Sequence, residues 1–190
     1  MIILRPTILT VVVLLVLSAC KTTSLKYSLD PEFSYLKESL QTAQIVAVTV
    51  TDQRDQSAKV ASEYMAVAQI EDVAETLRNQ LIRQLRKQGY KIINKPLLAD
   101  IAYDLVIKKL VLKVDKSLFK TSLNGNSEIS LTLHKHGESK SKIFSASRTQ
   151  EVANPASNLD ATGVVNQMLS SLFANMFSDQ SLVKFISDSE

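Results

Sequence analysis

The chain has 190 residues, 45% of them hydrophobic, and its 22 Lys and Arg against 19 Asp and Glu give a formal net charge of +3. This length suits one domain, or one domain with a tether. The nearly balanced charge does not support a general nucleic-acid interface, and the absence of Trp and the small aromatic share argue against a stacking platform for bases or sugars.

Residues 1–19 have the layout of a secretion signal. Arg5 precedes an apolar stretch that is too short for a transmembrane helix, which needs about 20 apolar residues. The run LSAC at residues 17–20 resembles the bacterial lipobox, in which the cysteine is acylated and becomes the first residue of the mature protein. Soluble secretion and an uncleaved anchor are the alternatives. We expect a lipoprotein signal peptide over 1–19 and a lipid on Cys20.

Cys20 is the only cysteine of the chain, so the domain cannot form an internal disulfide. Its polar neighbours at residues 21–24 disfavour a buried thiol. In lipoproteins of the enteric type, an Asp after the lipidated cysteine implies retention in the inner membrane. Lys21 stands at that place here. By its resemblance to that class, the chain is expected on the periplasmic side of the outer membrane.

The mature chain is expected to begin with a polar tether. Residues 20–43 contain Pro31 and show no sustained periodicity, although Leu25, Tyr27 and Leu29 alternate and permit a short edge strand. Residues 44–50 are rich in β-branched side chains and predict a strand buried on both faces. The polar run 51–59 begins a loop, and residues 44–190 are expected to form a single periplasmic domain.

The clearest predicted helix has apolar residues at intervals of three or four. This stripe consists of Ile70, Ala74, Leu77, Leu81 and Leu85. Acidic residues lie in its first turns and basic residues in its last, as the helix dipole favours. Gly89 stands where a left-handed residue ends a helix, and Tyr90 can fold back onto the last turn. A short strand over 90–94 follows, stopped by Pro96.

Three longer strands are predicted next, over residues 103–114, 118–134 and 142–152. Asn124-Gly125 is either a type I′ turn or a bulge within one long strand, and we favour the bulge. Gly137 indicates the hairpin before the last strand.

A second helix is predicted after Pro155, with Asn158 as its N-cap. Its broad buried stripe consists of Ala161, Val164, Val165, Met168, Leu169, Leu172, Phe173, Met176 and Phe177. Asp179 is expected to cap a short final helix. The order of elements predicts an α+β fold, a two-layer α/β sandwich in which two main helices pack on one face of a mostly antiparallel sheet.

The chain resembles the YajG-like lipoproteins of proteobacteria. The resemblance lies in the lipobox, in TDQRDQ at residues 51–56, in RKQGY at 86–90, in FSAS at 144–147 and in the final helix over 181–186. It spans most of the mature chain, and none of these motifs is catalytic. The resemblance implies a lipoprotein of uncharacterised function and supplies no mechanism.

Asp52, Gln53, Arg54 and Asp55 form the most interesting polar cluster. It follows a buried strand at its carboxyl end, where open α/β sheets often place ligands. Arg54 could hold a carboxylate or phosphate through a bidentate pair. The simpler interpretation, which we favour, is that Asp52 or Asp55 pairs with Arg54 and closes the turn.

Other candidate groups favour structural interpretations. His134 and His136 could face one side of a strand, but a zinc site needs more ligands than these two, so no metal is expected. Ser residues lack the Gly-x-Ser-x-Gly context, and the single glycines cannot cradle phosphate, so neither a catalytic residue nor a cofactor is predicted. A row of lysines could meet anionic lipid, although a solvated face with edge-protecting lysines explains it more simply. The row consists of Lys108, Lys109, Lys113, Lys116 and Lys120.

The sequence therefore favours a non-enzymatic accessory or binding lipoprotein, anchored to the membrane through Cys20. Its partner would be an unknown envelope protein, glycan or lipid, and not a nucleic acid. The alternatives are a component of an envelope assembly that transports lipid or lipopolysaccharide and a small hydrolase of envelope polymers.

Overall fold

Five strands form one sheet in the structure, a computed structural model that describes residues 29–31, 44–54, 72–154 and 156–187. They are β1 (Ile45–Asp52), β2 (Lys91–Ile93), β3 (Ile101–Lys116), β4 (Lys120–Lys135) and β5 (Glu138–Ala153). Their order is β2-β1-β3-β4-β5. β1 is parallel to both neighbours, whereas β3, β4 and β5 run antiparallel. The long antiparallel strands dominate, as predicted.

The helices follow the predicted order. They are α1 (Val73–Lys87), α2 (Asn158–Phe177) and α3 (Gln180–Ser187), with a 3-10 turn at Pro96–Leu98. Leu77, Leu81 and Leu85 of the α1 stripe are buried, and Ala74 packs against the core; Ile70 lies outside the described residues. All nine predicted stripe residues of α2 are buried. The α+β fold class is confirmed.

All three helices pack on one side of the sheet, which we call the covered face. Alternate residues of β1 (Val46, Val48 and Val50) pair in register with Ile101, Tyr103 and Leu105 of β3 and line this face. The opposite face, the open face, carries the other half of each strand. On β4 it presents Ser122, Asn124, Asn126, Glu128, Ser130, Thr132 and His134. The first half of β1 is buried on both faces, because Ala47 is buried too.

A bulge in β3 keeps the apolar residues on the covered face. Ile107 pairs with Ile129 and Lys109 pairs with Glu128, so Lys108 is an extra residue. Before the bulge the buried residues other than Ala102 have odd numbers, and after it Leu110 and Leu112 are buried. Without the extra residue, the second half of the strand would turn its apolar side to solvent.

The bulge predicted at Asn124-Gly125 is wrong, and so is the turn. Both residues lie inside β4 in regular register with β3 and β5. A Cβ atom at Gly125 would lie 3.0 Å from the Met168 sulfur and 3.4 Å from Val164 Cγ1. Glycine is therefore needed here for the close approach of α2 to the sheet and not for a turn.

The helix ends show one confirmed and one corrected prediction. At the end of α1, Gly89 has φ 93°, its N–H donates to Arg86, and the Tyr90 N–H donates to Leu85, which is a Schellman motif. The N-cap of α2 is Ser157 and not Asn158. The Ser157 hydroxyl accepts from the Asp160 N–H at 3.1 Å, and the Asp160 carboxylate accepts from the Ser157 N–H at 2.9 Å, forming a capping box.

Two tight hairpins close the antiparallel part of the sheet. His136 and Gly137 join β4 to β5 with φ values of 50° and 83°, as a type I′ turn requires, and this hairpin was predicted. Leu118 and Phe119 join β3 to β4 at the opposite end. The two turns therefore lie at opposite ends of the 16-residue strand β4, about 50 Å apart.

The described part of residues 20–43 contacts the helices. Leu29 is buried in the core, the Asp30 N–H donates to Asn166 Oδ1 at 3.0 Å, and Gln80 Nε2 donates to Asp30 Oδ1 at 2.7 Å. Residues 29–31 thus bridge α1 and α2. The boundary at residue 44 stays a prediction.

Candidate functional site

The polar cluster after β1 forms a tight turn closed by an ion pair. Asp52 is the last residue of β1, and the Gln53 N–H donates to the Ile107 carbonyl at 3.0 Å, which continues the ladder with β3 by one bond. The Asp52 carboxylate accepts from Arg54 Nε at 2.8 Å, from Nη2 at 2.6 Å and from the backbone N–H at 3.1 Å. This is bidentate pairing combined with an Asx-type turn.

The burial of Asp52 and Arg54 indicates that this ion pair stabilises the turn rather than binding a ligand. The Arg54 side chain is 7% exposed and that of Asp52 is 24% exposed. A ligand carboxylate or phosphate that used the same fork of Arg54 would have to displace Asp52. Removing either partner would leave a charge in a largely dry environment, which is costly. Pairing of Asp52 with Arg54, the interpretation that the sequence favoured, is observed; Asp55 lies outside the described residues.

The two histidines lie at the β4–β5 hairpin and are exposed. His134 is on the open face of β4, and His136 is the first residue of the turn. Within the described part of the chain, no three His, Cys, Asp or Glu side chains lie close enough together to hold a metal ion.

The lysine row lies where β3 becomes an edge strand. β1 pairs with β3 only as far as Ile107, so among the described residues the second half of β3 pairs with β4 alone. All five lysines are exposed. Lys113 pairs with Asp115 at 2.9 Å, and Lys120 pairs with Glu151 at 2.6 Å. The lysines are solvated, as the sequence favoured, but they do not share one face, because Lys113 pairs with Asn124 of the open face and Lys116 with Thr121 of the covered face.

The sequence reasoning missed the turn at Leu118-Phe119. Both side chains are 88% exposed, whereas the sequence had placed them within a strand over 118–134. The signal in the sequence was a pair of neighbouring apolar residues between Ser117 and Lys120. Two apolar residues in a row interrupt the alternation of apolar and polar residues that a half-buried strand shows. We call Leu118 and Phe119 the apolar tip. Ser117 and Lys120 close the turn, with the Ser117 N–H donating to the Lys120 carbonyl at 2.8 Å.

A buried tyrosine pair was also missed. Tyr103 on β3 is 1% exposed, and its hydroxyl lies beside that of Tyr90 but makes no hydrogen bond of normal geometry within the described residues. Burial raises the pKa of both phenols, and the neighbouring Tyr90 raises that of Tyr103 further. Both hydroxyls therefore stay protonated and neutral at physiological pH.

A charged contact joins α3 to β5. Lys142 pairs with the Asp179 carboxylate, which also accepts from the Ser181 and Leu182 N–H groups at 3.1 and 3.2 Å. The Lys142 ammonium and the Ser181 hydroxyl hold the pKa of Asp179 down at about 2. The predicted N-cap role of Asp179 is confirmed, and its ion pair with Lys142 also connects the start of α3 to strand β5.

The predicted anchor and leader lie outside the described residues. No helix in the ranges that the structure covers has the length and apolarity to cross a bilayer. Cys20 and residues 1–19 therefore stay a prediction from the sequence.

Comparison with known families shows the family of this chain, which the geometry of the site does not. The profile of a family described as "Uncharacterized lipoprotein" (Lipoprotein_16) matches residues 31–187, which is most of the chain. The fold is an open α+β sheet with helices on one face, and the chain belongs to this family of uncharacterised, YajG-like lipoproteins. No curated protein sequence matches the chain.

Solved structures with a similar fold are distant in sequence. Protein XCC0632 from Xanthomonas campestris, of family DUF330, is 11% identical over 86% of this chain and 97% of its own, with a TM-score of 0.52. The hypothetical protein CT253 from Chlamydia trachomatis is 12% identical over 76% and 96%, with a TM-score of 0.43. Lipoprotein GNA1162 from Neisseria meningitidis is 12% identical over 78% and 100%, with a TM-score of 0.33. The likeness to the first shows a shared fold alone.

Proposed function

We propose that this chain is a lipid-anchored lipoprotein of the bacterial outer membrane, held at the periplasmic face through Cys20. Its folded domain serves as a non-catalytic accessory or binding module. The observation that carries the proposal is the match of residues 31–187 to a lipoprotein family, directly downstream of a lipobox at residues 17–20. Lys21 supports export to the outer membrane rather than retention in the inner one.

The cluster after β1 supports a structural role for the residues that first suggested chemistry. Asp52 and Arg54 hold each other through two side-chain hydrogen bonds, at 2.8 and 2.6 Å. A group that is poised for catalysis or for ligand capture usually presents its charge to a cleft. Here the charges face each other and close the turn that ends β1.

The open face is the surface best suited to a polar partner. Hydroxyl and amide side chains of β4 and β5 stand side by side there, as in the pair Thr132–Ser141 at 2.8 Å and in the bond from Thr149 to Asn124 at 2.8 Å. Short side chains lose little conformational entropy on binding and offer both donors and acceptors. An envelope protein or a glycan fits such a surface.

Mass spectrometry of the chain produced in a Gram-negative host tests the anchor. The N-terminal fragment should begin at Cys20 and carry the added mass of acyl chains, and the protein should fractionate with the outer membrane. Cys20→Ser should keep its leader and carry no lipid. Lys21→Asp is the matched control for localisation to the outer membrane, because this variant should keep the lipid and remain in the inner membrane. A bare Cys20 in the wild-type chain would contradict the proposal.

In-cell crosslinking tests the binding role. A photoreactive side chain at Ser130 or Ser145 on the open face should capture an envelope component, whereas one at the exposed helix position Gln167 should not. Equal capture at both sites would exclude the open face as the binding surface. A turnover activity lost in His134→Ala, with folding intact, would indicate an enzyme instead.

A further inference from the structure

The apolar tip is an exposed hydrophobic group on a rigid support. Leu118 and Phe119 are each 88% exposed. The Ser117 hydroxyl donates to the Lys120 carbonyl at 2.8 Å, and Asn154 Nδ2 donates to the Ser117 carbonyl at 3.1 Å. The two side chains are thus held at the end of a hydrogen-bonded hairpin. The backbone of the turn therefore needs no further ordering when the two side chains enter an apolar medium.

A third apolar side chain lies at the same end of the molecule. Asn154, which donates to the Ser117 carbonyl beside the tip, is four residues before the start of α2 at Asn158. Leu159, in the first turn of α2, is 81% exposed. The end of the domain that carries the tip therefore exposes three large apolar side chains.

Among the described residues the charges around the tip balance, with Lys113, Lys116 and Lys120 against Asp115, Glu151 and, in the first turn of α2, Asp160. The carboxylates of Asp115 and Glu151 are engaged by Lys113 at 2.9 Å and by Lys120 at 2.6 Å. Lys116, at the end of β3, is exposed and makes no ion pair with any described residue. Lysines beside an apolar insertion can place their methylenes along the acyl region and their ammonium groups among phosphates.

The opposite end of the sheet also exposes an apolar turn, in which Leu97 is 99% exposed. Lys135 Nζ donates to the Ile186 carbonyl, which places the end of α3 beside the β4–β5 hairpin at this end. The exposed charges described there have both signs, with Lys91 and Lys95 beside Asp100 and Glu138. The turn at Leu97 is therefore the natural comparison for the apolar tip.

The length of chain before Leu29 allows an anchored domain to reach the bilayer with its tip. Asp30 contacts Asn166, which is eight residues into α2 and so about 12 Å along the helix from its first residue. The nine residues from Cys20 to Leu29 can span up to about 30 Å. A lipid at Cys20 can therefore lie in the same bilayer that the tip touches.

We infer that the apolar tip is a second membrane contact, in which Leu118 and Phe119 enter a bilayer containing anionic phospholipid while Lys116 meets its phosphates. The domain then stands end-on at the membrane and keeps its open face free for a partner. This inference rests on the proposed anchor, which supplies the first contact. Apolar burial of two large side chains is a favourable addition to a lipid anchor.

The absence of Trp from the chain gives a direct test, because Phe119→Trp places the only tryptophan of the variant at the tip. Full-length protein is purified from membranes and reconstituted in vesicles of phosphatidylethanolamine and phosphatidylglycerol, with and without brominated acyl chains. Leu97→Trp, at the other apolar turn, is the matched control. The Phe119→Trp emission should be quenched by bromine several-fold more strongly than the Leu97→Trp emission. Adding Lys116→Glu should weaken the quenching in vesicles that contain phosphatidylglycerol.

Two outcomes would overturn the inference. Equal quenching of the two tryptophans would mean either that the tip does not insert or that the domain does not stand end-on. A photoreactive group at residue 119 that captures a protein rather than lipid in native envelopes would make the tip a protein contact. The mass of the Cys20 fragment from the same preparation reports on the anchor alone. A bare Cys20 and an unquenched tip are therefore separate failures.

Discussion

The two faces of the sheet differ in composition and burial, although the same strands form both. On β4 the covered face is sealed by helices, and Leu123, Ile129, Leu131 and Leu133 there are at most 1% exposed. The open face alternates with it residue by residue, yet it carries serine, threonine and asparagine and remains solvated. The difference shows that the side chains of the covered face form the hydrophobic core. The side chains of the open face are not needed for the core and can contact solvent or a partner.

The largest expected effect separates two adjacent residues of β4. Leu131→Ala removes a fully buried side chain from the covered face and should lower the free energy of unfolding by about 2–5 kcal/mol. Ser130→Ala, on the open face, should change it by no more than about 0.5 kcal/mol. Urea denaturation of both variants measures the contrast. Similar losses in the two variants would mean that the open face is also packed against something.

A second contrast concerns two glycines. Gly125→Val places methyl groups against Met168 and Val164 of α2, where even a Cβ has a contact at 3.0 Å, and should cost about 1–3 kcal/mol from overpacking. Gly163→Ala lies inside α2 with nothing within 4 Å of the new Cβ, and it should stabilise by roughly 0.5–1 kcal/mol because alanine is the better helix former. Thermal melts of the two variants should shift in opposite directions. A stable Gly125→Val variant would show that α2 can move away from the sheet.

These glycines also show which features the sequence could reveal. Gly89 was predicted as a helix end because its signal is local: a helical stripe stops and a residue that tolerates positive φ follows. Gly125 was misjudged because its reason is Met168, some forty residues further along, and no local pattern reports such a contact. The burial of the Tyr103 hydroxyl likewise depends on residues distant in the sequence, and no local pattern reports it. The N-cap of α2 is a different case, because the spacing of Ser157 and Asp160 was available as a capping-box signal.

The bulge position was not local information. Val106 and Val111 interrupt the alternation of apolar residues in the sequence of β3, and only the buried residues, Ala102 apart, change from odd to even numbers at Lys108-Lys109. The candidate cluster was predictable in part. The pairing of Asp52 with Arg54 follows from turn chemistry, whereas its depth of burial depends on the surrounding fold.

A third prediction concerns pH at the contact between α3 and the sheet. The folded-state pKa of Asp179 is about 2, against an ordinary value of 3.8, so its contribution to stability is complete above about pH 4 and is lost as the pH falls towards 2. Asp179→Asn should be less stable than the wild type above pH 4, and the gap should close between pH 4 and 2. Asp160, whose pKa is lowered by Ser157, is present in both proteins and cancels in the difference. A gap that stays constant over that range would contradict the role of Lys142 and Ser181.

The smallest expected effect tests a polar atom on the covered face. The Tyr103 hydroxyl is buried without a normal hydrogen bond among the described residues, so Tyr103→Phe removes a group that lost its hydration on folding. The free energy of unfolding should stay unchanged or rise by up to about 1 kcal/mol. Thr121→Val is the matched control, because the buried Thr121 hydroxyl donates to Asn154 Oδ1 at 3.3 Å and its removal should cost about 1 kcal/mol. A loss of stability in Tyr103→Phe equal to that in Thr121→Val would mean that Tyr90 and Tyr103 hydrogen-bond in solution, and that the covered face holds a polar pair rather than a tolerated defect.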